Sequence, residues 1–326
     1  MDKRRHDHRV MITSLGAILF GSFLFTAIPA GSADKSIVLG TATKGGGFQL
    51  YGAALAEAIE KADPSIKIDE QPTKGSKQNV PFLEAGKLDI GLVEGNAAYD
   101  AFEGIDRPKT KLTIITAMYP NPGMFVVLAD SPYKSISDLK GKRIAWGTKA
   151  SGLTQLGRTM MDGLGLDIDK DFDPVYLEKA GDGPKLLMDG KVAAFWGGGI
   201  GWPGFRKVAA GPKGARFIGP TAEEINRIQA KHAFLKSMAV PANTYKGQSA
   251  AVDSVGQWSF VLARDGFPDD AAYKLARALH KAEGDLAKRL PQGSYTTSAN
   301  TAAQAPRPDL IHPGVARYLR ELKLLK

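Results

Sequence analysis

The chain has no cysteine among its 326 residues. That excludes disulfide staples, thiol catalysis, cysteine-based metal sites and an N-terminus acylated on cysteine. A chain this long is stabilised by its apolar core and does not need staples. Histidine is scarce too, with five in all, and His232, His280 and His312 stand too far apart for metal-ligand spacing. Neither a Walker sequence nor a Gly-x-Ser-x-Gly elbow is present. Gly199, Gly201 and Gly204 match the spacing G-x-G-x-x-G, but Pro203 lies inside the match and no clear helix is expected after it. The net charge of +9 is scattered among acids, without a Lys/Arg-dense stripe or interleaved aromatics. That argues against nucleic-acid binding and leaves solubility, or the gathering of an anionic ligand, as its role. No cofactor and no metal is called for.

The first 33 residues stand apart. Lys3, Arg4, Arg5 and Arg9 precede a diluted apolar run from Val10 to Ala27, and Pro29 to Ala33 supply small residues. This is the layout of a secretory signal peptide cleaved near Ala33, with Ala30 as a second position, and it implies export to the periplasm. No second long apolar run follows.

The rest of the chain repeats itself. Thr43-Lys44-Gly45-Gly46-Gly47-Phe48 follows an apolar run, and Thr148-Lys149-Ala150-Ser151-Gly152-Leu153 follows another about 105 positions later. Leu83-Glu84-Ala85-Gly86-Lys87-Leu88 is echoed by Leu187-Met188-Asp189-Gly190-Lys191-Val192 at nearly the same offset. Alternating strands and helices give an α/β chain with parallel sheets covered on both faces. The expected organisation is a first lobe of residues 34–123 plus 252–326 and a second lobe of 124–251, joined by hinge crossings. The crossings are a turn-rich break at Tyr119 to Gly123 and a strand at Trp258 to Ala263. The polar stretch from Pro291 to Pro308 is expected to wrap the surface.

The candidate site follows from the repeats. Gly45, Gly46, Gly47, Phe48 and Gln49 form the first loop, where successive glycines let backbone N–H groups approach a ligand at a helix N-terminus. Ser151, Gly152 and Thr154 form its echo. A flexible turn is the plain alternative for both. Two helix N-termini facing one cleft suit an anionic group, with Lys44 and Lys149 nearby. Glu94 and Asn96 lie at the carboxyl end of the first sheet, where open α/β sheets bind ligands. Trp196 and Gly198 are their counterparts in the second lobe, and Tyr119 sits at the crossing. Glu94 is alternatively an exposed loop carboxylate, and Trp196 a core residue.

Several phrases resemble the TAXI-type solute receptors of tripartite ATP-independent periplasmic (TRAP) transporters. They are Gly40-Thr41, Gly45-Gly46 and Gly52; Leu83 to Gly91; Ser135 to Arg143; Pro241 to Gln248; and Ile311 to Tyr318. The resemblance implies a two-lobe, type II periplasmic-binding-protein fold. It implies a non-catalytic receptor that closes on a small anionic solute, a carboxylate or acidic amino acid, and delivers it to TRAP integral membrane subunits. Against the family's pattern, Gly47, Phe48, Gln49 and Leu153 replace hydroxyl-bearing residues, and Glu94 and Asn96 replace Gln and Asp. Phe48, Leu153 and Trp196 would admit a more apolar or aromatic acid. Three alternatives stay open: a receptor of an ATP-driven (ABC) importer with the same fold, an exported enzyme using Glu94 as base, and a partner-binding or sensory module that signals to a membrane receptor.

Overall fold

A computed structural model describes residues 36–326; the leader and its cleavage positions lie outside them. The chain alternates β1 (Ile37–Gly40), α1 (Gly47–Ala62), β2 (Ile68–Gln71), α2 (Ser76–Glu84), β3 (Ile90–Val93) and α3 (Gly95–Glu103). The long β4 (Thr113–Pro122) leads through Gly123 into β5 (Met124–Leu128). The alternation then resumes with β6 (Arg143–Gly147), α4 (Gly152–Gly163), β7 (Asp173–Tyr176), α5 (Gly183–Met188), β8 (Ala194–Gly197), α6 (Pro203–Ala210), β9 (Ala215–Ile218) and α7 (Ala222–Lys231). Last come β10 (Lys236–Val240), β11 (Val252–Ala263), α8 (Asp269–Arg289), α9 (Ser298–Gln304) and α10 (Pro313–Glu321).

Two sheets result. In the first the order is β10-β11-β3-β1-β2, with β4 also paired to β11; in the second it is β7-β6-β8-β5-β9. In each, three parallel strands (β2-β1-β3 and β7-β6-β8) are followed by an antiparallel one, β11 or β5. The repeated phrases therefore occupy equivalent places: Thr43 to Phe48 follows β1, and Thr148 to Leu153 follows β6.

Amphipathic helices cover both faces of each sheet. Leu55 and Ile59 of α1 pack with Leu275 and Leu279 of α8 and Val315 and Leu319 of α10. Val80 and Leu83 of α2 pack with Ala97 and Ala101 of α3 on the other face. Leu156, Met160 and Met161 of α4 meet Ile228 of α7, and Leu187 of α5 joins Phe205 and Val208 of α6. The start of α7 is fixed by a capping box between Thr221 and Glu224.

Four expectations need correction. Tyr119 to Pro122 is strand rather than turn, because β4 pairs on one side with β11 and leaves the missing N–H groups of Pro120 and Pro122 at an edge. Residues 236–240, expected in the second lobe, hydrogen-bond to β11 in the first sheet, although Leu235, Val240 and Tyr245 pack into the second sheet's cores. The stretch from Pro291 to Pro308 is anchored: Thr296 Oγ1 donates to the Met118 carbonyl at 2.9 Å, and Thr301 Oγ1 accepts from the Ala117 N–H at 3.1 Å. A helix, α6, does follow the glycine-rich stretch, with Pro203 at its first position, where proline's lost N–H costs nothing.

Candidate functional site

The site grows from the ends of strands. After β1 the chain turns through Gly45, held in the left-handed region at φ 75°, and starts α1 at Gly47. Gly46 is the N-cap, and among the described residues no side chain caps this helix. Its first amides are therefore open to a ligand. Gly47 must be glycine because the Trp202 indole lies on it: a Cβ there would sit 2.8 Å from Trp202 Cδ1. After β6, Ser151 caps α4 by accepting the Leu153 N–H at 3.2 Å, which leaves its hydroxyl proton free to donate. Between them α2 begins after Gly75, which approaches the Ala150 carbonyl closely enough that a Cβ would be 3.1 Å from it.

These three N-termini bound one cavity whose empty space, its opening to solvent included, is about 640 Å³. Nine of the thirteen candidates line it: Gly46, Gly47, Phe48, Glu94, Tyr119, Ser151, Gly152, Trp196 and Gly198. Four do not. Gly45 packs against Gly181, whose Cα would be 3.3 Å from a Cβ on it. Gln49 turns back to accept the Gly45 N–H at 3.3 Å. Asn96 donates to Thr159 Oγ1 at 3.1 Å. Thr154 donates to the carbonyls of Trp146 and Thr148 at 2.7 and 2.8 Å, locking the strand-to-helix turn.

The lining also holds residues that the sequence pattern did not single out. Trp146, Phe195 and Trp202 add aromatic wall, while Lys74, Ser76, Asn121 and Thr148 add polar groups. Trp146 and Phe195 are inward residues of β6 and β8. Trp202 arrives from the loop before α6, with no local signal linking it to Gly47. Lys44 and Lys149 do not line the cavity, and Lys149 lies over the Tyr176 ring instead.

Glu94 is the singular group. It is 1% exposed and caps α3, its Oε2 accepting the Asn96 N–H at 2.9 Å. Its Oε1 is buried with no hydrogen-bond partner among the described residues. Burial pushes its carboxyl up to about 8, against the pull of backbone N–H groups at the start of α3. Tyr119 is likewise raised well above the ordinary phenol value, first by burial and then by the charges of Tyr51 and Glu94. Trp196 Nε1 donates to the Leu153 carbonyl at 2.7 Å, whereas Trp146 Nε1 is buried without a partner.

The cleft is closed. Gly152 lies against Glu94 and Ser76, so that a Cβ there would be 2.8 Å from Ser76 Oγ. The Lys77 N–H donates to the Ala150 carbonyl at 3.2 Å, and the Ala180 N–H to Thr43 Oγ1 at 3.2 Å. Beyond the cavity, Tyr99 stacks on Phe234 with centroids 4.1 Å apart and planes within 5°, and Gln155 donates to Asp100. Among the described residues no group of three or more His, Cys, Asp or Glu is placed to hold a metal, and no helix is long and apolar enough to cross a membrane.

The model of the NMT1-like family matches residues 39–322. A protein of Escherichia coli K12 named as a putative aliphatic sulfonates-binding protein is 25% identical over 177 residues, covering 52% of this chain and 51% of that protein. The match thus spans about half the length of that curated relative. MatC from Rhodopseudomonas palustris, solved with bound malate, superposes with a TM-score of 0.57 at 15% identity, covering 88% of this chain and 95% of that one. A putative L-cystine ABC transporter from Listeria monocytogenes gives 0.50 at 16% identity, covering 81% and 98%. The two α/β sheets joined by crossing strands are the fold of periplasmic binding proteins.

Proposed function

We propose, from the premise that the chain belongs to the NMT1-like family, that it is a periplasmic receptor of the TAXI type. In this reading it captures a small anionic organic solute, a carboxylate or acidic amino acid, and hands it to TRAP membrane subunits. The leader directs export and is removed near Ala33. The two lobes, built on the first and second sheets with residues 236–240 counted to the first, close over the solute by bending at Gly123 and along β11. The thirteen candidates define its surroundings, nine of them from the cavity wall.

One observation carries the reading: three helix N-termini, those of α1, α2 and α4, converge on a single cavity. The uncapped N–H groups of α1 and the positive ends of the three helix dipoles suit an anion, and need no arginine to do so. The relatives' printed ligands, aliphatic sulfonates and malate, are anions too. The aromatic wall of Phe48, Trp146, Trp196 and Trp202 favours an acid with an apolar or aromatic body. The role is binding, not turnover.

The test is a thermal-shift screen of dicarboxylates, acidic amino acids and aromatic acids on refolded, ligand-free protein. A true ligand at a hundredfold excess over its Kd stabilises the fold by about 2.7 kcal/mol. If no anionic solute shifts the melting point and the protein as purified carries none, the reading is wrong. Neighbouring genes separate the TRAP assignment from an ATP-driven importer: large multispanning subunits without an ATPase mark the former.

A further inference from the structure

Glu94 is a buried carboxyl in the cavity wall with one oxygen committed and one free. Oε2 takes the Asn96 N–H, and Oε1 has no partner. The ionisable groups around it do not neutralise a negative charge. Asp100 on its own helix acts against one, and Tyr119 on β4, held as an uncharged phenol, does not offset it. Lys77 of α2 pairs electrostatically with Asp100. Lys74, the cationic residue in the lining, is exposed and, among the described residues, makes no hydrogen bond or ion pair with Glu94. The face that α4 presents to Glu94 is Gly152, which carries no side chain. β11 presents Gln257 and the Trp258 carbonyl to Gly95, and neither is charged.

A carboxylate so placed would repel the anion that the helix N-termini attract. The conflict disappears when Oε1 carries a proton, since an O–H there becomes a donor facing an acceptor. We propose that Glu94 holds the solute as a neutral acid, donating a hydrogen bond from Oε1 to the solute's anionic group, so that anion and proton are bound together. This rests on the receptor reading above and narrows it. The solute is then an acid with a single negative charge and no ammonium group, rather than an amino acid whose ammonium would require an ionised Glu94. Burial, which keeps the carboxyl protonated to about pH 8 in the ligand-free protein, is consistent with this.

The experiment titrates ligand-free protein with phenylacetate, succinate and glutamate by calorimetry between pH 6 and pH 9.5, in pairs of buffers of different ionisation enthalpy. Phenylacetate is expected to bind tightest, with affinity level below about pH 7 and falling tenfold per unit above about pH 8. At pH 9 the buffer dependence should report close to one proton taken up. Glu94→Gln presents an N–H where the acid presents O–H; it is expected to bind within about fivefold of the parent at pH 7 and to lose both the pH dependence and the proton uptake. The buffer comparison on the unaltered protein is decisive even if that variant misfolds. Level affinity to pH 9.5 without proton uptake overturns the inference and leaves the receptor reading standing. So does tight glutamate binding that Glu94→Gln abolishes. Failure of all three acids to bind overturns both.

Discussion

The loop after β1 and the loop after β6 occupy equivalent places, and they start their helices differently. In the second, the Ser151 side chain caps α4. In the first, α1 begins on Gly46 and Gly47 with its opening amides uncapped by any described side chain, and Trp202 from the opposite half lies over it. The first loop offers bare backbone to a ligand; the second offers a hydroxyl already engaged as an acceptor, with one proton to give. The strand ends beyond them differ as well. β3 delivers a buried carboxyl with one oxygen unpaired among the described residues, and β8 delivers Trp196, whose N–H is spent on the Leu153 carbonyl. Two similar frames thus bound one cavity, the first supplying bare backbone and a carboxyl, the second most of the aromatic wall.

The largest effect is expected where the halves touch. In Gly152→Val the side chain would drive into Glu94 and Ser76. The closed form should be lost and ligand affinity should fall more than a hundredfold, while the melting point of the ligand-free protein changes little; calorimetry with scattering to follow closure reads both. Gly46→Val places a Cβ 3.1 Å from the Thr43 carbonyl and 3.2 Å from the Ala180 Cβ. Affinity should drop roughly tenfold to a hundredfold, in line with overpacking costs of about 1–3 kcal/mol; unchanged affinity would remove the first loop from the site.

Glu94 gives a stability prediction of opposite sign to the usual carboxylate. Its folded-state value, about 8, lies above its ordinary 4.5. Between those values the folded state holds a proton that the unfolded chain has lost, so stability falls as pH rises through this window and levels off above it. The full loss is on the order of a few kcal/mol. Glu94→Gln should therefore gain melting temperature over the parent from pH 5 to pH 8.5 in thermal scans, and a constant difference across that range would contradict the assignment. Ser151→Ala, the smallest change, should cost about 1 kcal/mol in urea unfolding through the lost cap and a few-fold in affinity, leaving the fold intact.

Much of this was legible in the chain. Strand and helix periods were clear because both faces of each sheet are covered, and the glycine-rich phrases marked the helix starts that bound the cavity. Boundaries failed where tertiary pairing overrode local signals. Tyr119 to Pro122 reads as a turn by its prolines and is a strand because its other edge is unpaired. Thr154 carries a hydroxyl suited to a ligand yet spends it on the protein's own carbonyls, and Asn96 spends its amide N–H on the Thr159 hydroxyl. Gly47 reads as a place for a ligand and is a place for Trp202 as well. That contact joins residues far apart in sequence, and nothing in either neighbourhood announces it.

The most direct test is a crystal structure of the protein with whichever acid raises its melting point most. The expected result is the acid inside the closed cavity, its anionic group within hydrogen-bonding distance of the backbone N–H groups that open α1 and α4 and beside Glu94 Oε1, its body against Trp146 and Trp202. An acid bound outside the cleft, or one whose anionic group turns away from those helix starts, would contradict a receptor built on helix N-termini.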